Sequence, residues 1–289
     1  MRLGEREMKQ YKVVTHGGFR VAVTEGGQGI PLVFLHGLSV SAGAYTEMLE
    51  LLAANGFHVF AFDAPDHGGS DSLPWGHTIK DMAEVIGQAA MQIPALEGAR
   101  AVVVGHSMGG WIAAELAAQR YPHWGSLTFD TLILLDAAVG AEFHESIRLQ
   151  PKKGAQFLTG ALKDVYGDVR KAGSIRSLWG RLSLIGRLGS SVSGPGIARA
   201  VNAMMQGDST DALWAIHSHV RTTVVHGSED GIVPWHAGLS AAVATGGRFE
   251  LLGGRYHSWM ISDPELALSV IRDALYLTHP EDDDARASL

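Results

Sequence analysis

Residues 102–111, Val-Val-Val-Gly-His-Ser-Met-Gly-Gly-Trp, constrain this chain more than any other stretch. The valine run reads as a buried strand, because β-branched side chains suit an extended backbone packed on both faces. Gly105-His106-Ser107-Met108-Gly109 then demands a sharp turn, and the alanine-rich residues 111–120 read as a helix. Strand, tight turn and helix with Ser107 at the tip is the geometry in which a strained backbone exposes a serine hydroxyl. Glycine two positions to either side removes the Cβ atoms that would collide there. The free amides at the helix start would face any negative oxygen that forms beside that hydroxyl.

The 289 residues are enough for one large α/β domain, or one such domain with an insertion. A hydrophobic share of 46% against 18% charged suits a sizeable core. There is no cysteine, which excludes disulfides, thiolate metal sites and a cysteine nucleophile. A formal charge of −7 argues against nucleic-acid partners, which need a basic surface. No apolar run approaches the roughly 18–20 residues of a membrane span. The first ten residues carry Arg2, Glu5, Arg6, Glu7 and Lys9 with no apolar segment, so no signal peptide and a cytoplasmic location are expected.

Along the chain, residues 10–15 and 19–24 predict a hairpin at a sheet edge, followed by a turn over residues 25–29. Apolar strands are expected at 31–35, 57–62, 101–104 and 131–135, with helices between them. The helix after Thr78 has a clear 3.6-residue pattern in Met82, Val85, Ile86, Ala89, Ala90 and Ile93. Near-continuous apolar strands separated by helices imply a mostly parallel sheet covered on both faces. The pattern weakens from Gly140 to Asp211, where ten Lys/Arg against six Asp/Glu leave four net positive charges; the rest of the chain carries eleven net negative. We read residues 138–214 as an inserted, mostly helical lid, and 1–137 with 215–289 as the core domain. A strand at 221–225, a helix at 234–243, a strand at 248–252 and a helix from Pro264 to about Tyr276 complete the expected core.

A serine hydroxyl needs a base within hydrogen-bond reach, and the base needs an orienting acid. Among 14 histidines, His257 follows the last expected strand and precedes the last helix, the place for the base. His236 falls inside an expected helix; His36, His106 and His226 flank glycines at strand ends and read as loop-shaping or site-lining. Two acids satisfy the order serine, acid, histidine: Asp230, in Gly227-x-x-Asp230, and Asp136, directly at an earlier strand end. Order does not separate them. Two amides should hold the oxyanion, that of Met108 after the nucleophile and that of Leu38 after His36-Gly37. His217-x-His219 is a close histidine pair without an evident third ligand, so no metal is expected.

Taken together, His36-Gly37, Asp63 with Gly68-x-Ser70, the Gly105–Gly110 turn, Gly227-x-x-Asp230 and the late His257 resemble the α/β-hydrolase superfamily over residues 19–276. The resemblance implies that fold, with Asp230 as the usual acid and His257 as the base, and a lid over the site. Serine at 107 departs from relatives with a carboxylate nucleophile. What remains resembles the carboxylesterase, lipase-like and lactonase group. It implies cleavage of a small-molecule ester or lactone through an acyl-enzyme without a cofactor. Phe143, Phe157, Leu162, Leu178, Trp179, Leu182, Met204 and Met205 are candidates either for apolar substrate walls or for lid packing. The rival readings are a carbon–carbon bond hydrolase on the same triad and a non-catalytic ligand receptor.

Overall fold

The computed structural model describes residues 8–119, 123–149, 194–217 and 219–278. Its strands are β1 (Lys9–Val14), β2 (Arg20–Gly27), β3 (Ile30–Leu35), β4 (Phe57–Phe62), β5 (Arg100–His106), β6 (Thr128–Leu135), β7 (Arg221–Gly227) and β8 (Arg248–Leu252). They form one sheet in the order β1-β2-β4-β3-β5-β6-β7-β8. The first hairpin joins antiparallel, and the strands from β4 to β8 in that order run parallel.

The parallel strands read as unbroken apolar runs because each is buried on both faces. In β5, Val103 enters one core while Val102 and Val104 enter the other; in β3, Val33 and Leu35 oppose Leu32 and Phe34. One core lies under helices α1 (Thr46–Ala54), α8 (Trp259–Ser262) and α9 (Pro264–Thr278). The other lies under α2 (Ile79–Ala90), α3 (Met108–Ala118), α4 (Ala141–Leu149), α5 (Gly194–Gln206), α6 (Thr210–Ile216) and α7 (Trp235–Thr245). Helix α2 starts at Thr78 with a capping box: the Thr78 hydroxyl accepts from the Asp81 amide at 3.1 Å, and the Asp81 carboxylate accepts from the Thr78 amide at 2.7 Å.

Local differences from the sequence reading have physical causes. β2 continues to Gly27 rather than turning at Glu25, because Glu25, Gly26 and Gly27 pair with Phe60, Val59 and His58 of β4. Helix α3 begins at Met108, not Trp111, despite two glycines that weaken a helix. A Cβ on Gly109 would stand 2.2 Å from the Leu35 carbonyl oxygen, so close packing of the helix start on β3 requires glycine there. The short helix α8 had no sequence signal. Of the proposed apolar walls, Phe157, Leu162, Leu178, Trp179 and Leu182 lie outside the described residues. Phe143 and Met204 are buried in the same core as Trp111, and Met205 packs against it.

Candidate active site

Ser107 sits between the end of β5 and the start of α3 with φ 54° and ψ −122°. A non-glycine residue in such a conformation carries roughly 1–3 kcal/mol of strain and persists only where its surroundings hold it. Here they do. The Ser107 amide donates to the Leu135 carbonyl at 3.1 Å, and its own carbonyl accepts from Gly110 at 2.9 Å and Ala138 at 3.0 Å. The turn is so tight that a Cβ on Gly105 would lie 2.3 Å from the Gly109 carbonyl oxygen.

The loop after β3 lies against this turn. A Cβ on Gly37 would come within 3.3 Å of the Ser107 Cβ. Met108, as the first residue of α3, has an N–H with no intrahelical acceptor. The Leu38 N–H donates to no acceptor among the described residues. His36 is buried and anchors the loop. Its Nδ1–H donates to the Gly37 carbonyl at 2.8 Å, and its Nε2 accepts from the Ala64 amide at 2.9 Å. Burial pushes its pKa down to about 4, so it stays neutral.

His257 is buried in the segment between β8 and α8. Its ring centroid lies 4.7 Å from that of His106, which places it beside the residue preceding Ser107. Its Nδ1 is 2.7 Å from Asp230 Oδ2. Asp230 is fixed in turn. Its Oδ1 accepts from the amides of Ile232 at 2.8 Å and Val233 at 2.9 Å, and His226 Nε2 lies 3.1 Å from Oδ2. Burial alone would raise this carboxyl, but the neighbouring His257 and His226 outweigh it and hold Asp230 well below the ordinary carboxylate range.

Asp136, the rival acid, also lies fully buried at the end of its strand, with φ 44°. Its Oδ1 accepts from the Gly227 amide at 2.8 Å and its Oδ2 from the Trp259 indole at 2.5 Å. The structure therefore brings His257 onto Asp230, while both Asp136 oxygens are taken by fixed neutral donors. His236 lies elsewhere, exposed on α7 and stacked on Trp235 at 3.6 Å.

Three side chains make contacts that the sequence did not specify, among them His226, expected only as loop-shaping or site-lining. His226 stands between the two acids, 3.9 Å from Asp136 Oδ1. Its Nε2 also lies 3.0 Å from the Val233 carbonyl, while its Nδ1 has no partner among the described residues. A carbonyl only accepts, so Nε2 carries a proton, and the two carboxylates together raise the His226 pKa against the effect of burial. Trp259 and Tyr45 are the others. A histidine four residues before an acid at a strand end was the available signal for His226; an indole or phenol in a helix gives none.

Among the described residues, Asp136, His226 and Asp230 bring potential metal-ligand atoms within 4.8 Å of one another. Those atoms are already engaged by the amides, the indole, the Val233 carbonyl and His257. The pair His217 and His219 instead bonds to backbone carbonyls, of Ala244 at 3.1 Å and of His217 itself at 3.2 Å. Among the described residues no helix is long and apolar enough to cross a membrane.

An eight-stranded, mostly parallel sheet with a strained serine between a strand and a helix is the α/β-hydrolase fold. The chain belongs to the alpha/beta hydrolase family, whose family model matches residues 32–269. It is 46% identical over 274 residues to a protein of Mycobacterium phage D29 provisionally named a non-heme haloperoxidase, covering 93% of this chain and 95% of that one. A non-heme chloroperoxidase of Streptomyces lividans is 26% identical over 274 residues, covering 88% of this chain and 95% of that one. Among solved structures, an esterase from Exiguobacterium antarcticum superposes with a TM-score of 0.72 at 21% identity, covering 92% of this chain and 98% of that one, which shows the shared fold.

Proposed function

We propose that the protein is a serine hydrolase that cleaves a carboxylic ester or lactone of a small to medium apolar substrate. Ser107 is the nucleophile, His257 the general base and Asp230 its orienting acid; the Leu38 and Met108 amides receive the oxyanion. His257 takes the Ser107 proton as Oγ attacks the carbonyl carbon, and returns it to the departing alcohol. Water then attacks the acyl-Ser107 ester with His257 again as base, and the acid leaves. We assign substrate selection to residues 138–214, of which 150–193 lie outside the described residues, over a core of 1–137 and 215–289. The observation that carries this reading is the 2.7 Å bond from His257 Nδ1 to Asp230, in a ring packed beside the Ser107 turn.

The haloperoxidase relatives favour a second use of the same intermediate. Hydrogen peroxide in place of water would attack acyl-Ser107, pass its proton through His257 to Ser107 Oγ and release a peroxy acid, which oxidises halide in solution.

A chromogenic ester series from short to long acyl, run on wild type and Ser107→Ala, tests the proposal. Turnover should fall at least about 10³-fold in Ser107→Ala at an unchanged thermal midpoint. Added peroxide and bromide should produce halogenation only if the second reading holds. Turnover that survives Ser107→Ala, or a folded wild type without any ester turnover, would contradict the ester reading.

A further inference from the structure

We propose that Tyr45 and His106 are positioning residues, a hydrogen-bonded relay that locks the oxyanion loop to the backbone of the general base. The proposal rests on the serine-hydrolase reading above. Tyr45 ends the 3-10 turn Ala42–Tyr45 and is 1% exposed. Its hydroxyl lies 2.6 Å from His106 Nδ1 and 3.2 Å from the Gly37 amide nitrogen. On the other side of the ring, His106 Nε2 lies 2.8 Å from the His257 carbonyl oxygen.

Chemistry fixes the direction of every bond. A carbonyl only accepts, so His106 Nε2 carries the proton and donates to His257. Nδ1 is then an acceptor, so the Tyr45 hydroxyl donates to it, and the phenol oxygen is left to accept from the Gly37 N–H. The three bonds run in one sense from the β3 loop to the base, and the Tyr45 hydroxyl and both His106 ring nitrogens are engaged. A charged His106 would add a second ring proton, on Nδ1, facing the phenol O–H. Burial, with His257 close by, holds the ring well below the ordinary histidine range and keeps it neutral.

The relay has two consequences for the site. Tyr45 occupies the Gly37 N–H, so the loop presents its next amide, that of Leu38, to the oxyanion. His106 directly precedes Ser107, so one ring sets the spacing between the nucleophile turn and the His257 main chain. The rings also touch, with centroids 5.8 Å apart for Tyr45 and His106 and 4.7 Å for His106 and His257. Phenylalanine at 45 would preserve that packing; the hydroxyl is the part that ties the loops together. The hydrogen bonds of Tyr45 and His106 go to each other and to main-chain groups.

The test uses the full chain and a fluorophosphonate probe, which phosphonylates an activated serine without needing the natural substrate. In Tyr45→Phe the labelling rate constant of Ser107 and the ester kcat per labelled site should each fall about tenfold, as a misplaced oxyanion donor requires. KM should stay within about twofold. The fraction of protein labelled at completion should match the wild type. His106→Leu should lose as much. His106→Gln, whose amide can still accept from Tyr45 and donate to the His257 carbonyl, should recover most of the rate; this pair carries the test if Tyr45→Phe does not fold. Wild-type rates in Tyr45→Phe, or His106→Gln no better than His106→Leu, would overturn the relay. If wild-type Ser107 is labelled but no ester is cleaved, the ester reading fails and the labelling rates still judge the relay. If wild-type Ser107 is not labelled, both fall.

Discussion

The ends of β6 and β7 offer two buried carboxylates a short distance apart, and the protein treats them in opposite ways. Asp136 takes its hydrogen bonds from neutral donors that cannot move, the Gly227 amide and the Trp259 indole, with His226 3.9 Å away. Burial dominates there and pushes its pKa up to about 7. Asp230 meets two imidazoles and two amides, and the same burial is outweighed. An acid serves a base when its free lone pair faces a group that gains a proton during the reaction. Asp230 has that arrangement towards His257, and Asp136 spends both oxygens on holding β7 and α8 in place.

The largest effect should come from Asp230→Asn. The asparagine oxygen can keep the Ile232 and Val233 amides, but its NH2 would then face His257 Nδ1 and favour the wrong tautomer. Ester kcat should fall about 10³–10⁴-fold with little change in KM, read by steady-state kinetics. A fall of less than tenfold would erase the distinction between the two acids.

Asp136→Asn should invert that profile. Asparagine can accept from only one of Gly227 and Trp259 and turns its NH2 towards the other donor, leaving a buried group unsatisfied. Chemical unfolding should show a loss of about 1–3 kcal/mol, while kcat per labelled site drops less than tenfold. A kcat loss as deep as that of Asp230→Asn would make Asp136 part of the chemistry.

The smallest effect lies in the pH dependence of stability. The folded pKa of Asp136 stands above its unfolded value of about 3.9, so between about pH 4 and pH 7 the native state holds a proton that the unfolded chain lacks. Its contribution therefore weakens as pH rises through that window, by at most about 1.4 kcal/mol per pH unit. Asp230 works the other way: its stabilisation is present above the unfolded pKa and lost as pH falls below it. Urea unfolding of wild type and Asp136→Asn at pH 5 and pH 7 should show the variant losing less stability over that step. Equal losses would remove the raised pKa from the account.

Much of the sheet was legible in the sequence, because strands buried on two faces must be apolar at every position, as Val102, Val103 and Val104 are. The turn at Ser107 was legible through Gly105 and Gly109, whose missing side chains leave a mark in composition. Chain order did not choose between Asp136 and Asp230; only the family resemblance implied Asp230. Both follow strands and both precede His257 in the chain, and what separates them is which donors the fold brings to their oxygens, a matter of contacts far apart in sequence. Trp259 reaches Asp136 across 123 positions, and His106 reaches His257 across 151. The start of α3 was misplaced for a related reason: local propensity disfavours Gly109 in a helix, while its approach to Leu35 demands glycine.

The most direct test of the account is the far-downfield proton NMR spectrum of the resting protein at low pH, where a hydrogen-bonded His257 Nδ1–H should resonate. The signal should disappear in Asp230→Asn and persist in Asp136→Asn. A signal that survives Asp230→Asn and vanishes in Asp136→Asn would show that His257 leans on the other acid, and would contradict the account.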